Sequence, residues 1–227
     1  MLDIETILAI DSSGATASVA VYREQVIAEC VWHSGRRHSS QLLPTIDAML
    51  RLGSLDRGML TAIAVAVGPG SYSGLRVGIS TALGLSEALG LDLVQVPTLE
   101  VIVWGSCPPG AAESKAPRSV RAAIEVGRGR YATARYRRAV RHVEAESGIE
   151  GAGLGDLLAL AIAERALLAV DLDAAARERV ERSHGERLEL SSPAASARRA
   201  GHLAELAALR IRRGDAVTGA VEPIYLH

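Results

Sequence analysis

The chain has 227 residues, 48% of them hydrophobic, with 25 basic and 26 acidic side chains and a net charge of -1. That length suits one compact domain or two small lobes, and the near-neutral balance offers no global attraction to nucleic acid, so any RNA contact must be local or supplied by a partner. No apolar run reaches the roughly 18 residues of a membrane span, and the acidic start Met1-Leu2-Asp3-Ile4-Glu5 lacks a secretory-signal layout, so a soluble, cytoplasmic protein without a membrane partner is expected. Cys30 and Cys107 form neither a metal-ligand spacing nor a disulfide framework and read as small buried apolar side chains. Lys115 is the only lysine and phenylalanine is absent, a bias that reads as genomic coding preference.

Ile7 to Ile10 reads as a buried strand ending in the turn cluster Asp11-Ser12-Ser13-Gly14, and Thr16–Tyr22 and Val26–Val31 alternate as the next two strands of a meander. His38 to Leu50 carries Leu42, Leu43, Ile46, Met49 and Leu50 at helical spacing, with Ser39 or Ser40 as N-cap and Pro44 in or near the first turn. The apolar run at residues 62–66 breaks at Gly68-Pro69-Gly70 and restarts as a helix from Gly74 to Leu89; a strand at 93–96 and a short helix from Thr98 to Trp104 follow. This order predicts one mixed sheet with crossover helices. Residues 105–118 read as a linker, so the expected division is a first lobe over 1–104 and a smaller one over 105–227. In the second lobe, residues 120–126 and 131–136 pair as a hairpin, 167–170 is a strand and 174–182 a helix. Residues 187–190 read as an edge strand, and Ser192 caps a long helix that starts at Pro193 and runs to about Arg213.

A strand–glycine–helix junction is a phosphate-cradle layout. Asp11, Ser12, Ser13, Gly68, Gly70 and Ser71 are therefore candidates for a vestigial phosphate or nucleotide site, with Asp11 placed to hold magnesium. The competing reading is an Asx-type turn, with glycines supplying positive φ and close backbone approach. Gly74, Gly78, Ala82 and Ser86 form a nearly side-chain-free ridge at i, i+4 steps; with Leu42, Ile46 and Met49 they are the candidate partner interface.

The segments Ile7–Ser13, His38–Pro44, Gly68–Gly78, Val96–Leu99 and Glu222–Leu226, in that order, resemble the TsaB (YeaZ) family within the actin/sugar-kinase/Hsp70 (ASKHA, RNase H-like) superfamily. The resemblance is dense over residues 7–104 and thin beyond. Glu125-Val126-Gly127 stands where the family usually has Asp-Ala-Arg, and Tyr225-Leu226-His227 where it has Tyr-Leu-Arg.

The resemblance implies a two-lobed actin-like α/β fold with mixed sheets. It also implies a non-catalytic dimerisation subunit of the complex that places threonylcarbamoyl on the adenosine beside the tRNA anticodon. The implied partner is a TsaD-type catalytic subunit, with room for a TsaE-type ATPase and for a homodimer of the free chain, and tRNA is reached only through the complex. The catalytic relatives carry two histidines four apart on the helix after the strand at 93–96. Here Pro97 to Trp104 holds none, and no two of the six histidines have that spacing. No catalytic or metal-binding residue is expected, and no cofactor is required, although the superfamily leaves room for ATP with magnesium. The alternatives are an ATP-binding transferase or kinase acting alone and a peptidase; the latter lacks a base placed for Ser71 or Ser73.

Overall fold

The computed structural model describes residues 5–35, 38–106, 118–139, 142–218 and 220–226. Cys107, Lys115, residues 107–117 of the expected linker and His227 lie outside the described residues. The chain forms two compact units, the first of Met1–Val101 and Arg198–Tyr225, the second of Ile102–Ala197 and Leu226–His227. The expected boundary near residue 104 is thus close, but residues 198–225 belong to the first unit and not to the second.

In the first unit, β1 (Ile7–Asp11), β2 (Thr16–Arg23) and β3 (Gln25–His33) form the antiparallel meander, and β4 (Ala62–Ala66) and β5 (Asp92–Val96) extend it in parallel, giving the order β3-β2-β1-β4-β5. Helices α1 (His38–Leu52) and α2 (Tyr72–Leu89) pack their apolar stripes against Leu8, Ile10, Val19, Val21, Ile63, Val65 and Leu93 of this sheet. α1 starts ahead of Ser39 and Ser40, so neither is its N-cap, and Pro44 is the seventh residue, deeper than the first turn. α3 (Thr98–Ser106) follows β5.

Among the other residues of β1, β2 and β4 are the small side chains Ala9, Ala20 and Ala64, all fully buried, with Ile7 and Tyr22 the bulky exceptions. Helix α7 (Ala200–Arg213) packs against all five strands and is itself lined by Ala200, Gly201, Ala204, Ala207 and Ala208. Small residues on both sides allow the helix to lie close to the sheet, which is why the tail of the chain completes the first unit. The Glu29 carboxylate, on β3, accepts from the Gly201 amide at 2.8 Å and from Arg199 Nε at 2.8 Å, capping a helix whose own N-cap residue offers no side-chain bond.

In the second unit, β6 (Arg118–Gly127) and β7 (Arg130–Arg138) form the expected hairpin, joined by β8 (Val143–Ala145), β9 (Glu150–Gly153) and β10 (Leu167–Val170). α4 (Leu154–Glu164) is an addition; its sequence is apolar nearly all round and Gly153 gives no side-chain cap, so neither periodicity nor a start signal marks it. α5 (Ala174–His184) is as expected, whereas residues 187–190 reduce to a single bridge between Leu190 and Leu168. Ser192 does cap a helix with Pro193 at its first position, but α6 (Pro193–Ser196) is one turn long. The long helix expected to reach Arg213 is broken at Ala197, which turns extended where the chain passes from the second unit to the first.

One side chain on the hydrophobic side of β6 is charged. Arg121 is 2% exposed, and its guanidinium forms a two-pronged pair with Glu164, Nε to Oε2 at 2.6 Å and Nη2 to Oε1, and bonds Glu150 at 2.9 Å.

Candidate functional site

The glycine motif sits where β4 hands over to α2. Asp11 is fully buried at the end of β1; its Oδ1 accepts from the Ser13 amide at 2.9 Å and the Ser13 hydroxyl at 2.6 Å, a closed Asx-type turn. Ser12 Oγ donates to the Gly74 carbonyl at 2.8 Å, and the Ser71 amide donates to the Ser13 carbonyl at 2.7 Å. The two loops are thus stitched together by their own polar groups.

The glycines make that contact sterically feasible. A Cβ on Gly70 would stand 2.2 Å from the Ser13 carbonyl oxygen, and one on Gly74 would stand 2.1 Å from that of Ser12. Gly68 has φ +106, its amide donates to Thr98 Oγ1 at 3.1 Å, and its Cβ position is filled by the Ile224 carbonyl oxygen at 2.5 Å. The candidate amides of Gly68 and Ser71 therefore donate within the protein, and the Ser71 hydroxyl accepts from the Gly74 amide at 3.4 Å as the cap of α2. This arrangement follows the close-approach reading of the loop. Asp11 Oδ2 remains buried without a hydrogen-bond partner among the described residues.

The candidate interface ridge is turned inward. Leu42, Ile46 and Met49 are 1%, 2% and 6% exposed, Ala82 is fully buried, and a Cβ on Gly78 would lie 2.2 Å from Ser12 Oγ. Gly74, Gly78 and Ala82 thus pack α2 against the protein's own β1 turn and sheet, and Ser86 Oγ bonds the Leu91 carbonyl at 2.6 Å to close the end of α2. The apolar residues of α1 and α2 that face outward are different ones, Leu43, Leu52, Tyr72 and Leu83, 52%, 73%, 59% and 38% exposed, and the missing side chain of Gly84 leaves open space. At the start of α2, Tyr72 stacks obliquely on Tyr225 at 5.3 Å, and Arg76 lies 5.4 Å from the Tyr72 ring.

Sequence reasoning marked Thr98 as a helix start and Ile224 as part of a resemblance segment without their contacts to the glycine loop, and it passed over Arg198, whose buried guanidinium fills the space beside Gly14 and donates to the Thr16 carbonyl at 3.3 Å. Each contact joins segments far apart in sequence, so only the glycines themselves signalled it.

Residues 27–192 match the family model described as TsaD: tRNA N6-adenosine threonylcarbamoyltransferase. The chain belongs to this family. Its similar relatives are TsaB (YeaZ) proteins, which places it in that branch: it is 38% identical over 98 residues to the tRNA threonylcarbamoyladenosine biosynthesis protein TsaB of Bacillus subtilis, covering 43% of each chain. It is 30% identical over 132 residues to TsaB of Escherichia coli, covering 58% of this chain and 55% of that one. The matched part thus spans about half the length of these TsaB relatives. The solved structure of YeaZ from Pseudomonas aeruginosa superposes with a TM-score of 0.71 at 22% identity, covering 98% of this chain and all (100%) of that one. That likeness shows the fold, the two-lobed actin-like α/β architecture of TsaB proteins. Both the Bacillus subtilis and the Escherichia coli relatives are named as tRNA threonylcarbamoyladenosine biosynthesis proteins.

Proposed function

We propose that this chain is the non-catalytic dimerisation subunit of the complex that transfers threonylcarbamoyl to the adenosine beside the tRNA anticodon. It docks on a TsaD-type catalytic subunit and orients it, in the cytoplasm, and contributes no cofactor of its own. tRNA and a TsaE-type ATPase are engaged through the complex. The observation that carries this reading is the exposure of Leu43 on α1 and of Leu83 on α2, together with the open space at the Gly84 Cβ position. The inner faces of both helices are already used by the sheet. Exposed apolar side chains on two neighbouring helices suit a helix-on-helix contact, with Gly84 admitting close approach. The same face serves a homodimer when the partner is absent.

Leu43→Asp with Leu83→Asp should weaken association with the TsaD-type subunit of the same organism at least about tenfold, read by light scattering. The circular dichroism spectrum should be unchanged, since both positions are exposed. Undiminished association of that variant, or no association of the unaltered chain at micromolar concentration, would sink the proposal.

One observation favours a second reading, an ATP-binding transferase or kinase acting alone: Asp11 Oδ2 is a buried, unpartnered carboxylate oxygen beside the glycine loop. On the reading preferred here, the isolated chain turns over no ATP in the presence of magnesium. Sustained nucleotide hydrolysis that disappears in Asp11→Asn would reverse the preference.

A further inference from the structure

Two of the segments that carry the family resemblance, those containing Pro97 and Glu222, line a cavity that docking through α1 and α2 leaves unused, and a third begins at Gly68, next to its Val67 wall. The cavity has a volume of about 420 Å3 and is lined by residues of the first unit alone. Its apolar walls include Val67, just past β4, and Pro97, just past β5, so it opens at the carboxyl ends of two neighbouring parallel strands. Ligand crevices of open α/β sheets form at such ends.

The third wall is the tail of the chain, tied down by backbone. The Gln95 amide donates to the Val217 carbonyl at 3.0 Å, Gln95 Nε2 to the Ala220 carbonyl at 3.1 Å, and the Ile224 amide to the Val67 carbonyl at 2.8 Å. A wall held at three points is preformed, which lowers the ordering cost of binding.

The charges in this cavity do not balance. Among the described residues Arg210 is its single cation, and that guanidinium is engaged on both prongs, with Glu100 at 2.6 Å and with the Gln95 carbonyl at 2.8 Å. Asp215 and Glu222 add two carboxylates to the lining, and neither forms an ion pair among the described residues. Burial, and to a lesser degree the Asp215 carboxylate, push the Glu100 carboxyl above its usual range against the pull of Arg210. A cavity of this size falls within the range of small-ligand sites, and its excess negative charge selects for positive charge.

We infer that this cavity binds an ammonium or guanidinium group, with Asp215 and Glu222 receiving the cation and Val67, Pro97 and Ile224 contacting its aliphatic stem. Such a group arrives on a free small cation or as the side chain of an arginine or lysine in a partner protein. The inference does not rest on the assembly reading, because the Leu43 and Leu83 face takes no part in the cavity.

The test is isothermal titration of the full chain with three probes: agmatine, the capped tripeptide Ala-Arg-Ala, and the same tripeptide with citrulline for arginine. At least one cationic probe should bind saturably with Kd of about 1 mM or tighter. Asp215→Asn with Glu222→Gln, both exposed positions, should weaken it about tenfold at unchanged melting temperature. Agmatine binding assigns the site to small cations; binding of the arginine peptide alone assigns it to a protein side chain. No saturable binding of either cation, equal binding of the citrulline peptide, or unchanged affinity in the double variant would overturn the inference.

Discussion

Gly74→Ala should destabilise the first unit by about 3 kcal/mol, although alanine is the better helix former by about 1 kcal/mol. The clash decides the sign. The new methyl group would stand 2.1 Å from the Ser12 carbonyl oxygen, a backbone atom held in the turn that the Asp11 carboxylate organises. Neither side can yield cheaply, since Ser12 Oγ is itself bonded to the Gly74 carbonyl. The same helix supplies the control: Gly84 has open space around its Cβ position, so Gly84→Ala should stabilise by about 0.5–1 kcal/mol. Urea unfolding followed by Trp32 fluorescence reads both changes, because Trp32 lies in β3 of the first unit. If Gly74→Ala unfolded at the midpoint of the parent chain, the tight seat of α2 on the Ser12 turn would be refuted. By the same geometry Gly78→Leu should cost folding and not merely association, as its Cβ would meet Ser12 Oγ at 2.2 Å.

The second large effect lies in the other unit. Arg121→Met should cost about 3 kcal/mol, near the lower end for breaking a buried ion pair, because Glu164 keeps 18% exposure and Glu150 keeps 50%. Removal of the guanidinium leaves the Glu164 carboxylate without its two-pronged partner at the end of α4. Adding Glu164→Leu should recover most of the loss, since an apolar pair replaces an orphaned charge. Trp104 lies in the second unit, so its fluorescence in a Trp32→Phe background reports this transition, and Trp32 in a Trp104→Phe background reports that of the first unit. Simple additivity of the two substitutions would show that the pair is not coupled as the structure has it.

The strands of the first unit were legible because Thr16–Tyr22 alternates with period two and residues 62–66 are apolar throughout. The ridge of Gly74, Gly78 and Ala82 was legible as a surface for close approach, but its partner was not. A small-residue ridge admits any backbone, and here it admits the turn at Ser12. The return of α7 was hidden for a related reason: its buried residues are mostly alanine and glycine, and only Leu203 and Leu206 supply the large side chains that mark a core helix. The burial of Arg121 leaves no mark in the sequence of its strand, and only the carboxylates at 150 and 164 make it tolerable. The cavity between β5 and the tail was invisible because its charges come from residues more than a hundred positions apart.

The placement of residues 198–225 in the first unit bears on how the chain is made. A ribosome delivers β1 to β5 early, but the helix that covers their alanine-lined side emerges only after residues 102–197 of the second unit have been synthesised. At ordinary elongation rates that interval is on the order of ten seconds. Throughout it one side of the nascent sheet stands bare, so the first sheet to leave the ribosome is the last to be closed.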